Sequence, residues 1–227
     1  MTHPVARALA DADAVEAALS LERFARYVAW ADGDRQKAVD LYTLNTQVSE
    51  ALYVSLQALE VALRNRIHTV LSDAHGPGWF HPEAGLLTDR QNQQVAAAVA
   101  ELIAERKPIE DGRIVAALTF SFWTSMFGRE HDDLWKRTLH RIGTRDGRFL
   151  ARKDFTTRLT KVRLLRNRIA HHEPILYWNL PEHHQAIRDM TLWLSPAMDD
   201  WRSGLDRFAA VHPPERLILA RPDKGEA

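Results

Sequence analysis

The chain has 227 residues, 45% of them hydrophobic and 26% charged, which suits a soluble globular protein with a real core, built as one largish domain or one domain with an appended subdomain. Thirty basic residues balance thirty acidic ones, a net charge of zero that argues against coating nucleic acid by bulk charge. The absence of cysteine excludes disulfides, thiolate zinc sites and thiol nucleophiles together.

Residues 1–13 carry no apolar run behind a basic start, so no secretory signal is expected. No stretch approaches the roughly 18 consecutive apolar residues of a membrane span. The expectation is a cytoplasmic protein with no membrane partner and a flexible segment over residues 1–19. From Ser20 to Ala31, Leu21, Phe24, Tyr27 and Val28 recur on one helical face. Gly33 is a stop, and Asp34 can cap the next helix. That helix reads from about Arg35 to Ala74, either unbroken or interrupted near Asn45-Thr46, with Leu52, Leu56, Leu59, Leu63, Ile67 and Val70 as its buried stripe. Gly76-Pro77-Gly78 ends it.

Residues 79–87 read as a loop, after which Thr88 caps a helix to about Arg106. Ile114 to Phe127 reads as one strongly apolar helix. A short helix follows from Asp132 or Asp133 to Ile142, then a turn over Gly143 to Gly147. Asp154 is expected to cap a helix running to about His171. Pro181 suits a first helical turn, and the last helices cover about Glu182 to Leu194 and Pro196 to Ala210. The fold class expected is all-α, a bundle with a long core hairpin and extra helices, in one domain over residues 20–211 with a loose tail over 212–227. Alternating strand patterns and Asn-Gly hairpin turns are missing.

Charge concentrates in one place. Between Arg145 and Arg168 nine basic residues, including Arg158, Lys161 and Arg163, are opposed in sequence by Asp146 and Asp154 alone. The run leads into Arg166-Asn167-Arg168-Ile169-Ala170-His171-His172-Glu173-Pro174. Either the run is a solvated helix face or it is a surface for a polyanion. At about 100° per residue, Phe155, Leu159, Val162, Leu165 and Ile169 form a core arc, and Arg166 falls inside it. A desolvated guanidinium costs several kcal/mol, so Arg166 requires a carboxylate, a phosphate or a solvent-lined groove.

An imidazole near its titration range beside a guanidinium is a minimal kit for cutting RNA without a metal. His171 would take the 2′-hydroxyl proton, the alkoxide would attack the adjacent phosphate, and a 2′,3′-cyclic phosphate would remain. Arg166 would stabilise the charge on the phosphorane, and Asn167 would hold the imidazole or the phosphate. His172 or Glu173 could assist the leaving group. The bland alternative gives Arg166 a buried ion pair with Glu60, or Glu60 a pair with Arg64, and leaves His171 and Glu173 to tie down the chain at Pro174. Tyr177 or Trp178 could stack on a base. A metal site is a third reading, because His171-His172-Glu173 and His183-His184 are dense, but adjacent histidines face different sides of a helix. Leu63-Arg64-Asn65-Arg66-Ile67-His68 nearly repeats Leu165 to His171, as though both helices offered basic residues to one groove.

The string Arg166-Asn167-x3-His171-His172-Glu173-Pro174-Ile175 resembles the signature of Abi-like (abortive infection, AbiD/AbiF type) proteins of the HEPN superfamily. Leu41-Tyr42-x2-Asn45, Leu56 to Asn65 and Trp193-Leu194-Ser195-Pro196 agree with it, so the resemblance spans roughly residues 20–211. It implies a helical bundle and a homodimer that joins two motif helices in an RNA-binding cleft. It further implies metal-independent endoribonuclease activity through Arg166, His171 and Asn167 with no cofactor, in phage defence or toxin–antitoxin growth arrest. An antitoxin or a phage-derived trigger is then a possible partner. Some members of that superfamily are RNA-binding or assembly modules without turnover, which is the alternative reading.

Overall fold

Amphipathic periodicity makes this an all-α chain. A computed structural model describes residues 12–19, 21–215, 217 and 219. Among them the regular elements are helices apart from one two-stranded hairpin. Residues 1–11 of the expected flexible segment, Ser20, and most of the tail beyond residue 215 lie outside the described residues. No helix among the described residues is long and apolar enough to cross a membrane. The chain divides into two compact units.

Among the described residues, the first unit takes those within 12–52, 168–180 and 207–219. It holds α1 (Ala12–Leu19), α2 (Leu21–Trp30), the first part of α3 (Arg35–His75) and α11 (Phe208–Val211). Ala12–Leu19 is thus helical, where a flexible segment was expected. Phe24, Tyr27, Ala31, Ala38 and Val39 form the core, with Leu19, Val28 and Tyr42 packed on it. α2 stops as Asp32 turns left-handed (φ 53°) and the Gly33 amide donates to the Val28 carbonyl at 2.9 Å. Asp34 then caps α3 by accepting the Lys37 amide at 3.0 Å. α3 continues through Asn45-Thr46 without a break. The Asn45 side chain is spent outside its own helix, on residues 173 and 175, so it does not compete with the α3 backbone.

The second unit takes residues 53–167 and 181–206. It contains the rest of α3, then α4 (Asp89–Ala104), α5 (Asp111–Ala117), α6 (Phe120–Ser125) and α7 (Asp132–Arg137). The strands β1 (Thr144–Arg145) and β2 (Arg148–Phe149) follow, then most of α8 (Arg152–Ala170), α9 (Leu180–Leu194) and α10 (Pro196–Ser203). The α3 stripe from Leu56 to Val70 and the α8 arc of Phe155, Leu159, Val162 and Leu165 are buried as their spacing predicts. Trp79 and Trp123 are fully buried, and each spends its indole N–H, on His68 Nδ1 at 3.0 Å and on the Leu118 carbonyl at 3.2 Å.

Four expected boundaries are corrected. The apolar run 114–127 is two helices, because Thr119 turns extended and its hydroxyl accepts the Phe122 amide. The Gly143–Gly147 turn is a hairpin whose Asp146-Gly147 corner has φ of 52° and 73°, the left-handed pair that a tight antiparallel turn requires. α8 begins at Arg152, so Asp154 sits in its first turn and does not cap it. The final helix splits at Gly204, leaving α10 and α11.

Candidate functional site

The boundary between the two units falls inside the motif, between Asn167 and Arg168. Arg166 is half-buried on α8, with Nε 3.6 Å from Glu60 Oε2 on α3. This is the carboxylate that the core-facing position demands. The distance exceeds the roughly 2.7–2.9 Å of a strong charge-assisted hydrogen bond, so the pair is loose. Asn167 is half-buried. Arg64 turns to its neighbour, donating to Asn65 Oδ1 at 3.3 Å. Arg66, in the repeated hexamer, donates to the carbonyls of Ile142 and Arg141 at 2.9 and 3.2 Å, so that guanidinium is tied down and does not line a groove.

In the first unit the chain leaves α8 through a left-handed cap. His172 has φ 57°, its amide donates to the Ile169 carbonyl at 3.1 Å, and the Glu173 amide donates to Arg168 at 2.9 Å. Such a cap commonly adds an apolar contact between the residues that flank it. Here Arg168 and Glu173 supply an ion pair at 3.0 Å in its place. Arg168 also donates to the Pro174 carbonyl at 3.4 Å and lies 5.6 Å from the ring centres of both Tyr177 and Trp178. Buried Asn45 clamps the same segment, accepting the Ile175 amide at 2.8 Å and donating to the Glu173 carbonyl at 3.5 Å. His171 and His172 project exposed from this fixed turn.

The basic run does not stand free. Carboxylates distant in sequence reach Arg152 (Asp132), Arg158 (Asp189, 3.7 Å), Lys161 (Glu182, 3.1 Å) and Arg166 (Glu60). Arg145 and Arg168 take the nearby Asp146 and Glu173, so six of the nine are paired. Arg145 and Arg158 also share a partner, lying over the Trp193 ring at 5.2 and 5.3 Å. Tyr177 is half-buried against Trp30, with ring centres 5.9 Å apart, and Trp178 is half-buried beside it. Trp201 is 52% exposed. Among the described residues no group of three or more His, Asp or Glu is arranged to hold a metal ion.

Of the sequence-expected RNA contacts, Arg163 lines a cavity that sequence reasoning missed. About 590 Å³ in volume, it lies within the second unit between α4, α6, the loop before α7, and α8. Gln91, 2% exposed, is its floor. Gln91 Oε1 accepts from the Thr88 amide and hydroxyl at 3.0 Å each, and His131 Nε2 lies 2.8 Å from it. An amide oxygen only accepts, so His131 carries its proton on Nε2. Burial holds this histidine below the usual imidazole range, against the raising effect of Glu130 and with the help of Arg152. The Thr88–Gln91 capping box was legible from its spacing; nothing local marked His131.

No family model matches the chain, and neither a curated protein nor a solved structure matches it.

Proposed function

We propose that this chain is a metal-independent endoribonuclease of the HEPN, Abi-like type, acting in phage defence or as a growth-arrest toxin. His171 removes the 2′-hydroxyl proton and later returns one to the leaving oxygen. Arg166 stabilises the charge that builds on the phosphorane, and Asn167 orients the phosphate or the imidazole. The reading includes a homodimer in which a second copy of the motif helix completes the RNA cleft, in the cytoplasm, under an antitoxin or a phage-derived trigger.

The observation that carries the reading is the contrast within the motif. Arg168 and Glu173 are consumed in fixing the end of α8, whereas His171 is exposed and Arg166 is held by a single loose carboxylate contact. The phosphodiester anion of an RNA strand can displace such a contact. Glu60 would orient the guanidinium until substrate arrives.

The test is cleavage of total RNA by the purified protein in EDTA, with the new ends checked for cyclic phosphate. Arg166→Ala and His171→Ala should each abolish cleavage while the far-ultraviolet spectrum stays unchanged. Cleavage surviving in the double variant ends the proposal. One observation favours a second reading, a non-catalytic RNA-binding or assembly module: six of nine cations in the basic run are already neutralised. That reading predicts RNA retention that weakens with salt and yields no product.

A further inference from the structure

The cavity beside α8 has chemistry that neither the motif nor the fold requires. We propose that it is a binding site for a ribose-phosphate group. It does not rest on the RNA-cleavage reading, since neither Arg166 nor His171 lines the cavity.

The charge comes first. Arg90 and Arg163 line the cavity, and neither makes an ion pair with another described residue. Glu130 is the carboxylate facing them. The balance favours an anion, and guanidinium forks suit phosphate oxygens. Arg163 stands out on α8 because its neighbours Arg158, Lys161 and Arg166 all have carboxylate partners.

The hydroxyl complement comes second. Ser121, Thr124, Ser125, Thr156 and Thr160 all reach the cavity, with the amide of Gln94. Thr156 Oγ1 is buried and has no hydrogen-bond partner. Leaving such a group unsatisfied costs about 1–3 kcal/mol, so a ligand hydroxyl that meets it is rewarded. Ligand pockets of this size, about 300–1,000 Å³, are mostly apolar. Here the apolar side chains of the lining are Phe127 and Leu159, which can cover one face of a sugar ring.

Rigidity comes third. Gln91 is saturated: its oxygen is met as described above, and its NH2 donates to Ser125 Oγ at 2.8 Å and to Met126 Sδ at 3.2 Å. The Ser125 hydroxyl in turn donates to the Phe122 carbonyl at 2.7 Å. Arg152 fixes the opposite wall, donating to the carbonyls of Phe127 at 2.9 Å and Gly128 at 2.5 Å while pairing with Asp132. The floor and one wall are therefore set before any ligand arrives, which lowers the ordering cost of binding.

The experiment is calorimetric titration of the full chain with ribose 5-phosphate, with ribose and inorganic phosphate as separate arms. Ribose 5-phosphate should bind at least about tenfold more tightly than either fragment. An Arg90→Gln/Arg163→Gln double variant should lose about tenfold or more, and Thr156→Val should lose severalfold while its unfolding midpoint holds or rises. Displacement of ribose 5-phosphate by a single-stranded oligoribonucleotide would assign the group to an RNA strand; failure to displace would assign it to a free phosphorylated sugar. Either outcome upholds the site. Absence of binding by the wild-type chain, or equal binding by the double variant, overturns it.

Discussion

Two arginines of the second unit face carboxylates, and they are held in opposite ways. Arg202 is 1% exposed and spends Nε and one terminal nitrogen on Asp199 Oδ1, at 3.0 and 2.8 Å, and the other on Asp206 Oδ2 at 2.5 Å. His184 Nε2 meets the same Asp206 oxygen at 2.7 Å. The Arg166 side chain is 37% exposed and comes no closer to Glu60 than 3.6 Å. Burial with several short contacts makes a guanidinium part of the structure. Partial exposure with one long contact leaves it able to change partner.

The largest effect should follow loss of the buried member. Arg202→Met removes the cation between two carboxylates that stay largely out of water, and breaking a buried pair from one side costs about 3–5 kcal/mol. The urea midpoint should fall accordingly with little change in slope. A loss under about 1 kcal/mol would mean that water or another cation reaches Asp199 and Asp206, and the contrast with Arg166 would collapse.

A smaller effect should appear on acidification. Burial lowers the affinity of His184 for a proton, although Asp206 opposes the shift by charge and hydrogen bond; Arg188 and Arg202 add to the lowering. His68, His131 and His183 are lowered too, each chiefly by burial. Above the ordinary imidazole value of about 6.5 these groups are neutral in both states and stability is independent of them. Below it the unfolded chain takes up protons that the folded chain refuses. Stability therefore falls with falling pH until the lowered folded values are reached. The urea midpoint should drop between about pH 7.5 and about pH 5.5, and a flat profile would show these rings to be wetter than their burial implies.

How much of this was legible in sequence depends on range. The leucine stripe of α3 and the Phe155–Leu165 arc of α8 are local periodicities, and the structure buries both. The position of Arg166 on that arc was enough to require a partner, and Glu60 was named among the possibilities. The cap at Thr119 was hidden because apolar residues on both sides sustain a helical period through it. Asp146-Gly147 was read as a plain turn, although the pair is a strong hairpin signal, because no alternating strands flank it. The carboxylates on Arg152, Arg158, Lys161 and Arg166 come from 20 to 106 positions away, and sequence charge counting cannot see them. The same holds for Asn45, whose bond to the Ile175 amide spans 130 positions.

The smallest effect on stability is expected at Arg166, and it bears most on function. A half-exposed pair of this kind contributes about 0–1 kcal/mol, because solvent screens it and two long side chains must be ordered to form it. Arg166→Met keeps an aliphatic stem over the neighbouring core and surrenders only the charge, so its urea midpoint should stay near that of the wild type. Under the nuclease proposal the same change removes the cation that meets the phosphorane, and RNA cleavage should disappear. Loss of stability on the scale of Arg202→Met would show that the Glu60 contact is a structural pair whose exposure misleads. Full stability with full cleavage would take Arg166 out of the reaction and leave His171 without an electrostatic partner in its own motif. Stability kept and cleavage lost is the one outcome that separates the two arginines by role, and it does so without relying on a denatured variant for the negative result.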